Sequence, residues 1–229
     1  MTDRQPTQIT SRKKPQQARS NDLVAAILEA AIQVLSREGA RRFTTTRVAE
    51  RAGVSVGSIY QYFPNKAAIL FRLQSDEWRE TTDMLRATLA DASRPPLDRL
   101  RRSVHAFVKS ECDEAAMRVA LGDAAPLYRD APEARAVRAA GSRILQAFMR
   151  ETLPDASPAV RSLAGNLIKA TLSAVGKEFS ETPRSAREIA NYSNAMADMF
   201  GAYLAGLGHV APAAAVPARG PRHPKRTAA

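Results

Sequence analysis

Apolar residues recur at spacings of three and four along almost the whole chain, which is the period of an amphipathic α-helix. The first such stripe comprises Leu23, Ile27, Ala31, Val34 and Leu35. No stretch shows the strict apolar–polar alternation of a half-buried strand. The pattern therefore predicts an all-α fold with about nine helices.

Glycine and proline divide this pattern into helices. Gly39 is predicted to end the first helix as a C′ residue, and Gly53 to form the turn between two short helices. Ser55 is a predicted N-cap, with Val54 and Ile59 at the positions of a hydrophobic staple. Pro64 ends the third helix, and Asn65 caps a long fourth helix that runs to about residue 90.

These boundaries predict two helical domains and two tails. A three-helix unit covers 20–66, and the long fourth helix joins it to a helical domain over 67–207. Residues 1–19 and 208–229 are polar or Ala/Pro-rich, basic and unpatterned, so we expect a disordered arm and a disordered tail. The segments 158–180 and 184–207 are apolar over a wide arc, which is typical of helices central in a bundle or shared with a partner.

Positive charge is concentrated at the two ends of the chain. The net charge is +11, and residues 1–66 hold 11 Lys and Arg against 5 Asp and Glu. Residues 67–208 are nearly neutral, with 19 against 18, and residues 209–229 hold 4 against none. A basic module joined to a neutral body is typical of nucleic-acid binding. The alternative explanation of the positive charge is that proteins of this genome are basic in general.

The sequence argues against several other classes. It lacks a membrane-length apolar run and a secretory h-region, so we expect a cytoplasmic protein. The single cysteine, Cys112, excludes an intramolecular disulfide and a Cys-rich metal site. His105, His209 and His223 are far apart. No GxGxxG, phosphate loop, GxSxG or HExxH motif is present, so we expect no enzyme activity, no cofactor and no metal.

The segment 42–66 has the residues that a DNA-binding helix-turn-helix requires. Its two helices can cross closely because Ala49, Ala52 and Gly53 are small. The second helix begins with the small residues 55–58, which allows a close approach to a major groove. Lys66 lies at a helix N-terminus, where the unpaired N–H groups also attract a phosphate.

The segment Thr44–Leu70 resembles the DNA-binding signature of tetracycline-repressor (TetR/AcrR) family regulators. The resemblance rests on Ala52-Gly53-Val54-Ser55, on Tyr60-Gln61-Tyr62-Phe63 and on Lys66. It implies that residues 56–58 face bases, that the tyrosines, Lys66 and the threonines contact DNA, and that Phe63 is a core residue. The full set of expected DNA-binding residues is Thr44, Thr45, Thr46, Arg47, Ser55, Val56, Gly57, Ser58, Tyr60, Gln61, Tyr62 and Lys66.

The same resemblance implies that residues 67–207 are a regulatory and dimerisation domain, with a ligand pocket and a dimeric four-helix bundle. The pocket candidates are Trp78, His105, Phe107, Met117, Tyr128, Phe148 and Met149, although each could simply fill the core. The candidates for the dimer interface are Leu163, Leu167, Thr171, Val175, Tyr192, Met196, Met199 and Tyr203.

These observations predict a sequence-specific, homodimeric transcriptional repressor that a small-molecule effector releases from a pseudo-palindromic operator. Its partners would be double-stranded DNA, a second copy of itself and the effector, with no membrane. Three alternatives remain: the same dimer controlled by a protein partner or not gated by a ligand, an all-helical enzyme, and a non-specific nucleic-acid binder.

Overall fold

The computed structural model describes residues 8–12 and 18–208. Within these residues the chain forms nine α-helices and one short 3₁₀-helix and contains no strand. The α-helices are α1 (Ala18–Arg42), α2 (Thr45–Ala52), α3 (Val56–Tyr62), α4 (Lys66–Leu89), α5 (Pro96–Asp113), α6 (Ala115–Ala124), α7 (Pro132–Thr152), α8 (Pro158–Ser180) and α9 (Ala186–Gly206). The predicted all-α class is confirmed. The predicted tail beyond residue 208, with His209 and His223, lies outside the described residues, as does most of the predicted arm.

Side-chain caps fix the starts of three consecutive helices in the N-terminal domain. The side chains of Thr44, Ser55 and Asn65 accept hydrogen bonds from the backbone N–H groups at the starts of α2, α3 and α4. Gly53 ends α2 with φ = 67°, a left-handed conformation that glycine adopts without strain. Each cap contributes on the order of 1 kcal/mol, so the turn between α2 and α3 is locally encoded.

A first core holds α1, α2 and α3 against the start of α4, and residues of α6 and the start of α7 also belong to it. Its side chains with no exposed surface include Ile27, Leu35, Phe43, Val48, Ile59, Phe63 and Ile69. Burying each such side chain stabilises the fold by roughly 1.5–3 kcal/mol. The placement of Phe63 inside this core agrees with its expected structural role.

The second core belongs to the C-terminal helices. Helix α5 packs against α4, α8 and α9, and α7 packs between α4 and α8. Helix α4 has 24 residues, a length of about 36 Å, and takes part in both cores. Helix α6 packs against α1 of the N-terminal domain as well as against α4 and α5. Two helices, α4 and α6, therefore connect the N-terminal domain to the C-terminal body.

Candidate functional site

Helix α3 presents one exposed and one buried face. Ser55, Gly57, Tyr60 and Gln61 are exposed, whereas Ile59 has no exposed surface. A Cβ atom built on Gly57 would meet only the Ser55 hydroxyl, at 3.6 Å, so the surface around this glycine is open. The exposed face is thus small and nearly flat over its first turn, which suits close approach to a base-pair edge.

Polar side chains from α2 and α4 flank this face. The Tyr60 hydroxyl lies 3.4 Å from Thr45 Oγ1, and Tyr60 is 41% exposed. Thr46 is exposed beside it, and Lys66 is exposed at the first residue of α4. These hydroxyl, phenol and ammonium groups can all hydrogen bond to a DNA phosphate.

Two of the expected DNA-binding residues have surroundings that the sequence did not predict. Tyr62 is only 7% exposed and its ring belongs to the first core, although no hydrogen bond to its hydroxyl is found within 8–12 and 18–208. Arg47 forms an ion pair with Glu38 of α1 and is not a free cation on a solvated helix face. Any phosphate contact by Arg47 must compete with this carboxylate.

The segment Gln8–Arg12, expected to be part of a disordered arm, lies against the helix-turn-helix. Ile9 is 4% exposed and belongs to the first core. The backbone N–H of Arg12 donates to the carbonyl oxygen of Tyr62 over 2.8 Å, and Asn65 Nδ2 donates to the Gln8 carbonyl over 2.9 Å. This short segment therefore fixes the end of α3 to the start of α4.

A cavity of about 360 Å³ lies between α4, α5, α6, α7 and α8. Its walls are largely apolar, with Trp78, Leu85, Phe107, Leu145 and Leu172 among the lining side chains. A volume of this size is within the range of small-molecule binding sites. Helix α6, which also packs on α1, forms part of the wall, so the cavity is one helix away from the N-terminal domain.

Two of the seven predicted pocket residues, Trp78 and Phe107, line this cavity, and five lie elsewhere. His105 faces α9, with Nε2 3.0 Å from Asn194 Oδ1. Tyr128 is buried in the first core, where its hydroxyl lies 3.1 Å from the Leu121 carbonyl oxygen. The other three, whose apolar side chains fill core positions or a separate surface groove, are Phe148, Met149 and Met117.

One end of the cavity carries a network of charged side chains centred on Arg118 of α6. Its guanidinium is 2.6 Å from Glu77 Oε1, 2.7 Å from Glu111 Oε1 and 3.0 Å from Glu114 Oε2. Burial raises the pKa of Glu77 and of Glu111 above the ordinary carboxyl value, and the nearby Arg118 partly opposes this rise in both pKa values. Glu77, Glu111 and Arg118 line the cavity, whereas Glu114 does not.

The outer surfaces of α8 and α9 carry exposed apolar and small side chains at heptad-like spacing. On α8 these are Leu163, Leu167, Ala170 and Ala174, and on α9 they are Ala195, Met199, Ala202 and Gly206. Leu163, Leu167 and Met199 are 64%, 47% and 50% exposed.

The remaining predicted interface residues are less exposed. Thr171, Val175 and Tyr203 are half-buried, and Tyr192 is half-buried because its ring stacks on Phe179 at 4.0 Å. Met196 is only 5% exposed and packs within the second core of its own chain, so it is not available to a partner.

Two family models match the chain. Residues 27–73 match the model described as bacterial regulatory proteins, tetR family. Residues 95–207 match the model described as the tetracyclin repressor-like C-terminal domain. The chain belongs to the tetR family. Since this family consists of DNA-binding transcription factors, the prediction of a regulator, not an enzyme, is confirmed.

Two curated proteins are similar to part of this tetR-family chain. The nucleoid occlusion factor SlmA of Vibrio campbellii is 36% identical over 101 residues, which cover 43% of this chain and half of SlmA. The probable HTH-type transcriptional regulator ArpR of Pseudomonas putida is 39% identical over 79 residues, which cover 34% of this chain and 37% of ArpR. The chain thus matches half or less of the length of each relative.

Solved structures share the fold over most of the chain. FadR of Bacillus subtilis, crystallised in complex with stearoyl-CoA, aligns with a TM-score of 0.61 at 17% identity. The alignment covers 77% of this chain and 97% of FadR. At this level of identity the likeness establishes the fold alone.

The apolar pattern of the sequence indicated neither the buried charges around Arg118 nor the packing of the N-terminal segment 8–12. Glu114 and Arg118 are four residues apart, the spacing at which side chains on one helix meet, whereas Glu111 belongs to the preceding helix. Ile9 is a single apolar residue in a polar stretch, so it forms no periodic pattern that would predict its burial.

No helix in the described part of this tetR-family chain is long and apolar enough to cross a membrane.

Proposed function

We propose that this tetR-family chain is a homodimeric repressor, acting on DNA in the cytoplasm, that a small-molecule effector releases from a pseudo-palindromic operator. The observation that carries the proposal is the double role of α6, which lines the cavity and packs on α1. A ligand in the cavity changes DNA affinity only if it binds one arrangement of the two domains better than another.

The exposed face of α3 would enter the major groove. Val56, Gly57 and Ser58 would lie nearest to the base edges, because they occupy the first turn of the helix. Thr44, Thr45, Thr46, Ser55 and Lys66 would hold the phosphates on either side, with Tyr60, Gln61 and the hydroxyl of Tyr62. Arg47 would join them only by leaving its ion pair with Glu38.

Two copies would pair through the exposed stripes of α8 and α9. Burying Leu163, Leu167 and Met199 removes the largest exposed apolar side chains of these helices from water. The small residues between them let two helices approach closely. Pairing would place the two copies of α3 about one helical turn of DNA, roughly 34–36 Å, apart.

The effector would be largely apolar, because the cavity walls are. The fold relative FadR of Bacillus subtilis holds stearoyl-CoA, which has a long hydrocarbon chain. That structure supports the proposal that a protein of this fold binds a lipophilic ligand. In this chain Trp78 and Phe107 would contact the effector. Trp78 is the single tryptophan of the chain, so its fluorescence reports occupancy of the cavity directly.

Selection from random DNA tests the proposal. The full-length protein should enrich an inverted repeat and bind it at least about a thousandfold more tightly than unrelated DNA at the same salt concentration. Equal affinity for enriched and unrelated DNA would show a non-specific nucleic-acid binder instead. If the protein binds the enriched DNA specifically but no cavity ligand weakens the complex, the DNA-binding role would stand and control by an effector would be wrong.

A further inference from the structure

The charged end of the cavity has too few cations for its carboxylates. Glu77, Glu111 and Glu114 surround the single guanidinium of Arg118. Glu77 and Glu111 are each 7% exposed. Placing unbalanced charge in a buried site is costly, so the network favours either an additional proton or an additional positive charge.

The carboxylates of Glu77 and Glu111 differ in how many of their oxygen atoms accept a hydrogen bond. Both oxygens of Glu77 are bonded within the chain, since Oε2 accepts from Gln74 over 2.7 Å and Oε1 from Thr81 over 3.0 Å. Glu111 Oε1 accepts from Arg118. For its second oxygen no hydrogen-bond partner is found between residues 18 and 208. Glu111 lines the cavity, so this oxygen is available to a ligand there.

The other cations of the cavity wall do not supply the missing charge. Arg138 donates to the backbone carbonyls of Ala134 and Arg129 and lies over the Trp78 ring. Lys169 donates to Ser142 over 3.0 Å. Lys177 is exposed and, like Lys169 and Arg138, it lines the cavity. None of these three side chains forms an ion pair with Glu77 or Glu111 in the part of the chain that the structure describes, where both carboxylates pair with Arg118.

Close packing fixes the position of Glu111. A Cβ atom at Gly176 of α8 would lie 3.1 Å from the Phe107 ring and 3.3 Å from Glu111 Cγ. The absence of a side chain at residue 176 therefore lets α8 press against α5 at this point. Phe107 and Glu111 are held one helical turn apart on the cavity wall, an aromatic face beside a carboxylate, and both groups attract an organic cation.

We propose that the effector is a lipophilic organic cation whose ammonium group binds to Glu111 beside Arg118 while its apolar part fills the cavity between Trp78 and Phe107. This inference rests on the proposed function of the cavity. The bound ammonium competes with Arg118 for Glu111 and Glu77. Because Arg118 belongs to α6, weakening its ion pairs loosens the helix that packs on α1.

Three probes of equal chain length test the charge preference: decyltrimethylammonium, decanoate and decanol, each below its micelle concentration. Trp78 fluorescence and calorimetry measure their affinity for the full-length protein. We expect decyltrimethylammonium to bind at least about tenfold more tightly than decanol, because only the cation gains a buried ion pair. Decanoate should bind least tightly, because the carboxylates of Glu77 and Glu111 repel its own carboxylate. The same order should hold for release of the enriched DNA.

Glu111→Gln should remove most of the advantage of the cationic probe and leave decanol affinity within about twofold, since only the charge changes. Glu114→Gln is the matched control, because Glu114 also contacts Arg118 but does not line the cavity. Unchanged decanol affinity in Glu111→Gln shows that the variant keeps its fold and its cavity.

Preferential binding of decanoate, or a cationic advantage that survives Glu111→Gln, would overturn the proposal and leave the cavity as an effector site. Failure of all three probes to change Trp78 fluorescence would overturn both the cationic preference and the proposed role of the cavity. Specific DNA binding would be unaffected by either result.

Discussion

At the scale of single residues, the exposed face of α3 separates side chains that stabilise the domain from side chains that are free to contact DNA. Phe63 and Ile59 have no exposed surface, whereas Tyr60 and Gln61 are exposed. The sequence motif placed Tyr60 and Tyr62 together as contacts. It could not show that Tyr62 is mostly buried, because helical spacing on a seven-residue helix assigns a direction but not the neighbours of a ring.

Lys66→Ala should weaken DNA binding on every sequence to a similar degree. The ammonium group would contact one phosphate, so the slope of log affinity against log salt should fall by about 1 per bound subunit. Anisotropy titrations at several salt concentrations measure this slope. Lys109→Ala is the control, since Lys109 pairs with Asp113 on α5. An unchanged affinity of Lys66→Ala would contradict the proposed docking.

Gly57→Ala should separate stability from recognition. The added methyl group has room in the free protein, and alanine stabilises a helix by up to about 1 kcal/mol relative to glycine. We expect an equal or higher melting temperature together with weaker or altered DNA recognition, because the methyl group lies where the helix would meet the base edges. Thermal melts and repeated DNA selection measure the two effects. Unaltered recognition would place Gly57 away from the bases.

The raised pKa values of Glu77 and Glu111 predict a pH dependence of stability. Above the unfolded carboxyl value of 4.5, the folded state still binds protons that the unfolded state has lost. The free energy of unfolding should therefore decrease as the pH rises from this value through the folded-state pKa values. Denaturant titrations at a series of pH values should show a flatter slope in Glu77→Gln/Glu111→Gln. A wild-type slope in this double variant would show that Glu77 and Glu111 do not cause the pH dependence.

At the scale of elements, the capping residues and the helix-breaking glycine and proline predicted where the N-terminal helices begin and end. Thr44, Ser55 and Asn65 cap helices in the structure where the sequence placed helix starts, and Gly53 adopts the left-handed conformation expected of the turn. The packing of α6 on α1 could not be predicted. An apolar stripe shows that a helix face is buried, but not which distant helix buries it.

The segment Gln8–Arg12 shows the same limit. Its one apolar residue, Ile9, forms no periodic pattern, yet it is buried against the helix-turn-helix. Ile9→Ala should lower the free energy of unfolding by about 2 kcal/mol at most, since a short segment can detach locally. It should also weaken DNA binding severalfold, because the end of α3 loses its support.

Thr10→Ala is the matched control, as Thr10 is exposed in the same segment. Thermal melts and DNA titrations of both variants would distinguish support of α3 from a passive attachment. Equal DNA affinity of Ile9→Ala and the wild type would show that the segment does not position α3.

At the scale of the whole molecule, the proposed function requires two copies paired through α8 and α9. Leu167→Glu should raise the dimer dissociation constant by more than about a hundredfold, since it places a charge at the centre of the apolar stripe. Leu127→Glu is a matched control, because Leu127 is 43% exposed against 47% for Leu167 but lies on a different surface. Sedimentation equilibrium measures both. A Leu167→Glu variant that remains dimeric would require another interface.

The sequence predicted the breadth of the apolar arcs on the last two helices but not their division into core and surface. Met196 and Met199 are three residues apart on α9, yet the first is buried against the chain's own helices and the second is half exposed. That division depends on the direction from which α5 approaches α9, which is a tertiary property. The cavity is a further tertiary property, since its walls come from five helices.

A footprint of the wild-type protein on the inverted repeat enriched from random DNA tests paired, sequence-specific binding most directly. We expect protection of two half-sites about one helical turn apart, lost in Leu167→Glu but kept in Leu127→Glu. Protection of a single half-site, or uniform protection that ignores sequence at matched salt, would contradict this expectation.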